Sequence, residues 1–95
     1  MGEYRLTPLA ENDLEEIWLY SFKHWSATQA DSYVNEIMTV MGLLASGQLQ
    51  GRSVDIRAQY LKYQTGRHLI FFRKLGPEIE IIRILHQSMD FQRHI

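Results

Sequence analysis

The chain has 95 residues, 45% hydrophobic and 12% aromatic, enough to build one packed core without a disulfide or a structural metal. The absence of cysteine excludes thiolate catalysis and cysteine-based zinc sites, and fits a reducing compartment. The net charge of −1 and pI near 6.4 argue against tight binding to a phosphate backbone.

That charge is unevenly spread. Residues 1–50 carry two cations and seven anions, residues 51–95 eight cations and four anions, so an acidic face and a basic face can meet different partners. The longest apolar runs are four residues, such as Leu69-Ile70-Phe71-Phe72, so no membrane span is expected. Met1-Gly2-Glu3-Tyr4-Arg5 lacks a basic start followed by an apolar stretch, so no signal peptide is expected and the cytosol is the default.

In chain order, Glu3 to Leu6 is a candidate edge strand. Thr7-Pro8 then supplies an N-cap hydroxyl and a proline at the first helical position. Ala10, Leu14, Ile17, Trp18, Ser21 and Trp25 recur with a 3.6-residue rhythm, which predicts an amphipathic helix with Glu11, Asp13, Glu15 and Glu16 on its outer face and near its positive end. Ser26 with Gln29 three residues on is a capping box, and Ala30, Tyr33, Val34, Ile37, Val40, Met41 and Leu44 continue the rhythm into a second helix ending near Gly47. The short link makes the two helices antiparallel.

Residues 47–55 are polar and glycine-bearing, hence a loop. The period then drops to two. Strands are predicted over 56–63, 67–74 and 78–86, joined by Gln64-Thr65-Gly66 and Leu75-Gly76-Pro77 as hairpin turns, with a short amphipathic tail over 88–95. The expected architecture is an α+β fold: an N-terminal strand and a helical hairpin packed on a mainly antiparallel sheet, in the order β-α-α-β-β-β, as one domain over 1–95. Leu14, Ile17, Trp18, Tyr33, Ile37, Val40, Leu69, Phe71, Ile82 and Ile84 should supply much of its core.

His24, His68, His86 and His94 show no ligand spacing on a single helix, so no metal is expected, nor any cofactor. No Walker sequence and no G-x-S-x-G occurs. Trp18 and Trp25 lie seven residues apart on one stripe, where they either fill the core or stay uncovered as a partner groove. On strict alternation Arg83 shares a face with Ile79, Ile81 and Leu85, and His86 shares the other with Ile82 and Ile84. Such an arginine is either a paired structural group or, beside an imidazole, part of a phosphate-contacting or RNA-cleaving site.

These elements resemble the ParE branch of the RelE/ParE superfamily, toxins of bacterial type II toxin-antitoxin pairs, over nearly the whole chain. The resemblance rests on Ala10, Asp13-Leu14, Ile17 and Tyr20, on Ala30, Tyr33 and Ile37, on Gly51-Arg52 with Arg57, and on Gly66-Arg67-His68 with Phe72-Arg73. It is most specific at Ile82-Arg83-Ile84-Leu85-His86, Met89-Asp90 and Arg93-His94-Ile95. Two departures are the absence of proline between Ser46 and Arg52 and Phe72 where tyrosine is common.

The resemblance implies a protein that inhibits DNA gyrase without being an enzyme, and that a cognate antitoxin neutralises by folding on it within a higher-order complex. No sequence-specific nucleic-acid binding is implied. Candidate target-binding residues are Arg57, Arg73, Arg83, His86 and Arg93; candidate antitoxin-binding residues are Trp18, Trp25, Tyr33 and Ile37. Relatives on this scaffold cleave ribosome-associated messenger RNA, and that alternative would use Arg73, Arg83 and His86 as catalytic groups. A ribosome-bound nuclease favours a strongly basic chain, which this is not. A non-toxic binding module on the same scaffold is a further alternative.

Overall fold

A computed structural model describes residues 3–55 and 57–95. Met1, Gly2 and the Ile56 start of the expected strand lie outside the described residues.

The local signals act where the sequence puts them. The Thr7 hydroxyl accepts from the Ala10 N–H at 3.1 Å and opens helix α1 (Pro8–His24), with Pro8 in its first turn. The same hydroxyl donates to the Ile82 carbonyl at 2.7 Å, so one cap also docks the helix start on the sheet. Ser26 caps α2 (Ala27–Ala45) through the Gln29 N–H. This helix ends on Gly47 at φ 82°, where the Gln48 N–H reaches Leu43 and the Gly47 N–H reaches Leu44. That is a Schellman motif, and its left-handed residue favours glycine.

Strands β1 (Tyr4–Leu6), β2 (Arg52–Ser53), β3 (Leu61–Thr65), β4 (His68–Leu75) and β5 (Glu78–His86) form one sheet in the order β1-β5-β4-β3-β2. β1 pairs parallel with β5; the other pairs are antiparallel. Two-residue turns close both long hairpins, each with its first residue a glycine at positive φ, Gly66 at 56° and Gly76 at 60°. The expected α+β order is therefore observed; β3, expected over 56–63, runs Leu61–Thr65 and turns at Gly66-Arg67 instead of Gln64-Thr65-Gly66, and there is one small addition. Arg52–Ser53, read as loop, pairs with Leu61 and Lys62 as a two-residue edge strand, too short for any alternation to signal.

The core lies between the helices and one face of the sheet. Ala10 and Ile17 of α1 and Ile37, Met41 and Leu44 of α2 pack on Ile70 and Phe72 of β4 and Ile79, Ile81 and Ile84 of β5. The other face buries Phe71 and Leu85. There Phe91, in a terminal 3₁₀ turn (Phe91–Arg93), sits 5.2 Å from the Phe71 ring, and the Lys62 ammonium lies 5.5 Å from the Phe91 centroid.

Strict alternation fails on β5. Phe71 pairs with Arg83 but Phe72 pairs with Ile81, which leaves Ile82 as the extra residue of a β-bulge. The bulge reverses the parity beyond it, so Ile84 joins Ile79 and Ile81 in the core while Leu85 is buried outside that cluster. Ile82 and Leu69 are consequently only partly buried. Trp18 is not a core residue either: its ring stacks on Phe22 at 5.2 Å and its indole N–H donates to Asp31 at 2.8 Å, which joins the helices near the surface.

Candidate functional site

An open groove of about 830 Å³ runs between the helical hairpin and the adjoining ends of β4 and β5. Its apolar wall comes from Ile17, Tyr20, Trp25, Leu85 and Met89, and its polar wall from Tyr33, Arg67, His68 and His86, with Glu16 and Glu36 also lining it. Tyr20 and Trp25 are 57% and 65% exposed, high values for such large rings. His24 and Trp25 gather beside Tyr20, the Tyr20 and His24 rings stacking at 3.8 Å.

The polar wall is held by hydrogen bonds. The Tyr33 hydroxyl accepts from the Arg67 N–H at 3.1 Å and lies 2.6 Å from His68 Nδ1. Tyr33 thus clamps α2 to the β3–β4 turn, where a Cβ on Gly66 would come within 2.8 Å of the hydroxyl. His68 and His86 are cross-strand partners with ring centroids 5.3 Å apart at 88°. His86 Nδ1 accepts from the Ser88 N–H at 3.1 Å. Burial, followed by the neighbouring His86, lowers the His68 pKa to about 4.

At the groove floor Arg83 bonds through all three of its guanidinium nitrogens, and Asp13, expected on the outer face of α1, is buried against it. The Arg83 Nε and Nη2 donate to Asp13 at 2.8 and 2.9 Å, and its Nη1 donates to the His94 carbonyl at 3.1 Å. Asp13 also accepts from the Ile84 N–H at 2.9 Å. The pair is bidentate and sheltered, with 15% of the Arg83 side chain and 8% of the Asp13 side chain exposed. The hydrogen bonds to Asp13 raise the arginine pKa against the opposing cost of burial. One residue of α1 thereby fixes the bulged part of β5 and the C-terminal tail together.

A family model described as "ParE toxin of type II toxin-antitoxin system, parDE" matches residues 4–91. The chain belongs to this ParE toxin family. It is 38% identical to Toxin ParE1 of Caulobacter vibrioides over 96 residues, covering 100% of this chain and 99% of that protein. It is 37% identical to Toxin ParE1 of Mycobacterium tuberculosis, covering 99% and 98%. Among solved structures, the chromosomal ParDE TA system from P. aeruginosa superposes with a TM-score of 0.77 at 23% identity over 90% of this chain and 96% of that one. A conserved hypothetical protein from Helicobacter pylori superposes at 0.62 with 16% identity, covering 93% and 97%. At those identities the two structures share the fold.

In this ParE-family chain the sequence-expected site residues separate. Trp25, Tyr33, Arg83 and His86 line the groove; Trp18 does not. Ile37 is 1% exposed inside the core cluster and cannot touch a partner, because the second-helix stripe that was read as one groove wall is the face that packs on the sheet. Arg57 is exposed between β2 and β3, and Arg93 is exposed in the terminal turn 3.6 Å from Asp90. Arg73 bonds Glu80 at 2.9 Å from a position adjacent to core-facing Phe72, on the other side of the sheet from His68 and His86. It stands five positions along β4 from His68, about 16 Å away. Arg73, Arg83 and His86 therefore do not converge on one substrate atom.

Asp13, Tyr20, Arg67, His68 and Met89 line the groove without having been singled out as site residues. The signal for His68 was partial: Gly66 marks a hairpin turn just before it, but the sequence placed that turn at Gln64-Thr65-Gly66 and gave no sign of the pairing with His86.

Proposed function

We propose that this ParE-family chain is a DNA gyrase inhibitor that makes or breaks no bond itself, and that a cognate antitoxin neutralises it by folding a segment into the groove. Family membership supports the gyrase target. The observation that carries the antitoxin seat is the exposure of Tyr20 and Trp25 at 57% and 65% along an open groove. Covering either ring would contribute on the order of 2–3 kcal/mol. An amphipathic helix presents apolar side chains at the spacing such a groove accepts.

The separation of Arg73 from His86 gives the ribonuclease alternative no assembled site. The purified chain is expected to inhibit gyrase supercoiling and to leave translation in an extract intact; cleavage of messenger RNA in that extract would replace this reading. Calorimetric titration with the product of the adjacent reading frame should show a large negative heat-capacity change, from apolar burial with coupled folding. Binding abolished by moderate salt, without that change, would mean an ionic contact elsewhere.

A further inference from the structure

The groove holds two imidazoles whose inner nitrogens are already used. The Tyr33 hydroxyl accepts the Arg67 N–H and lies 2.6 Å from His68 Nδ1, which leaves its own proton free to be donated to that nitrogen. The Ser88 N–H donates to His86 Nδ1. Ser88 Oγ also lies 2.7 Å from His86 Nδ1. With Nδ1 accepting in both rings, each neutral imidazole carries its proton on Nε2. Among the described residues nothing bonds either Nε2, yet neither is a buried polar atom without a partner, so both reach the solvent of the groove that their residues line.

Two imidazoles on adjacent strands, with ring centroids 5.3 Å apart, are close enough for one small group with two acceptor oxygens to meet both when each carries its proton on Nε2. Arg67 lines the same wall and adds a positive charge. Glu16 and Glu36 line the groove from the helices, so a carboxylate is best placed at its sheet side, beside the histidines. Burial also keeps the His68 ring neutral at pH 7, when carboxylates are ionised, its pKa being about 4.

We propose that His68 and His86 form a two-donor receptor for one acidic side chain of the protein segment that fills the groove. The inference rests on the groove being the antitoxin seat. It predicts that the segment places an Asp or Glu against the β4–β5 end while its apolar side chains meet Tyr20 and Trp25. A charge-assisted hydrogen bond from each ring would fix the register of the docked segment, which apolar burial alone leaves free to slide.

The receptor can be tested with a small probe. Long-range proton–nitrogen NMR correlations of the full chain at pH 7 should show both rings with the proton on Nε2. Sodium acetate should then shift both Nε2 signals along one saturating curve, beyond a sodium chloride control at matched ionic strength. His86→Phe should weaken acetate binding about tenfold, the effect of losing one hydrogen bond to a charged group, whereas His86→Gln, which keeps an N–H near the Nε2 position, should restore most of it. A proton on Nδ1 in either ring, or acetate shifts no larger than chloride, would overturn the proposal. Saturation by inorganic phosphate but not by acetate would overturn it in favour of a nucleic-acid backbone. Acetate binding without any binding of the adjacent gene's product would leave the receptor standing and remove the antitoxin reading. Tight binding of that product, unchanged when each of its acidic residues is replaced, would do the reverse.

Discussion

Arg83 and His86 lie three residues apart on one strand and look alike in the sequence, as polar side chains among isoleucines and leucine. Their surroundings differ completely. Arg83 spends its guanidinium on Asp13 and the His94 carbonyl, inside the molecule, whereas His86 is anchored by one ring nitrogen and offers the other to a groove. A polar group whose charge is paired and held within the fold contributes architecture; one that faces a groove is available to a partner.

The largest test of this contrast is at the arginine. Asp13→Ala and Arg83→Ala should each cost about 3–5 kcal/mol, because each strands the other charge in a sheltered site. Arg83→Lys should recover little, since an ammonium cannot reproduce the paired Nε and Nη2 bonds to one carboxylate. Urea denaturation of the three variants reads this directly. A stable, folded Arg83→Ala that has lost toxicity would make Arg83 a contact residue and break the comparison.

The next test separates the hydrophobic residues of the two helices. Ile37→Ala should cost about 2–4 kcal/mol through the cavity it leaves in the core. Trp25→Ala should change stability by no more than about 0.5 kcal/mol, its ring being 65% exposed, yet weaken the antitoxin about tenfold or more. Equal stability losses for the two would mean that Trp25 is packed and the groove is not its site.

The smallest effect is a pH dependence at His68. Its folded pKa of about 4 lies below the ordinary imidazole value of 6.5, so the unfolded chain binds the extra proton first. The stability it contributes is complete above pH 6.5 and is lost as the pH falls toward 4. Water reaches part of the ring, which reduces the full linkage to on the order of 1–2 kcal/mol. Urea midpoints measured from pH 7 to 4.5 should fall less steeply for His68→Gln than for the parent chain. Parallel curves would mean that the ring is not held neutral.

Much was legible in the sequence because it is local. Thr7-Pro8 and Ser26 with Gln29 begin their helices through contacts three residues long, Gly66 and Gly76 form turns through their own φ angles, and Ala10, Ile17, Ile37, Met41 and Leu44 sit on helix faces by periodicity. The family resemblance, most specific at Ile82 to His86 and in the tail, agrees with the match over 4–91.

The site was decided by tertiary structure at one residue, Ile82. Counting back from the Gly76-Pro77 turn without a bulge would pair His68 with Leu85; the extra residue moves the register by one and sets His68 opposite His86. The same shift turns Ile84 into the core while Asp13 accepts its N–H and grips Arg83 across 70 residues of chain. Alternation in a sequence records the two faces of a regular strand. It carries no mark of an inserted residue whose cost is offset only by a cap, a carboxylate and a tail that arrive from elsewhere in the fold.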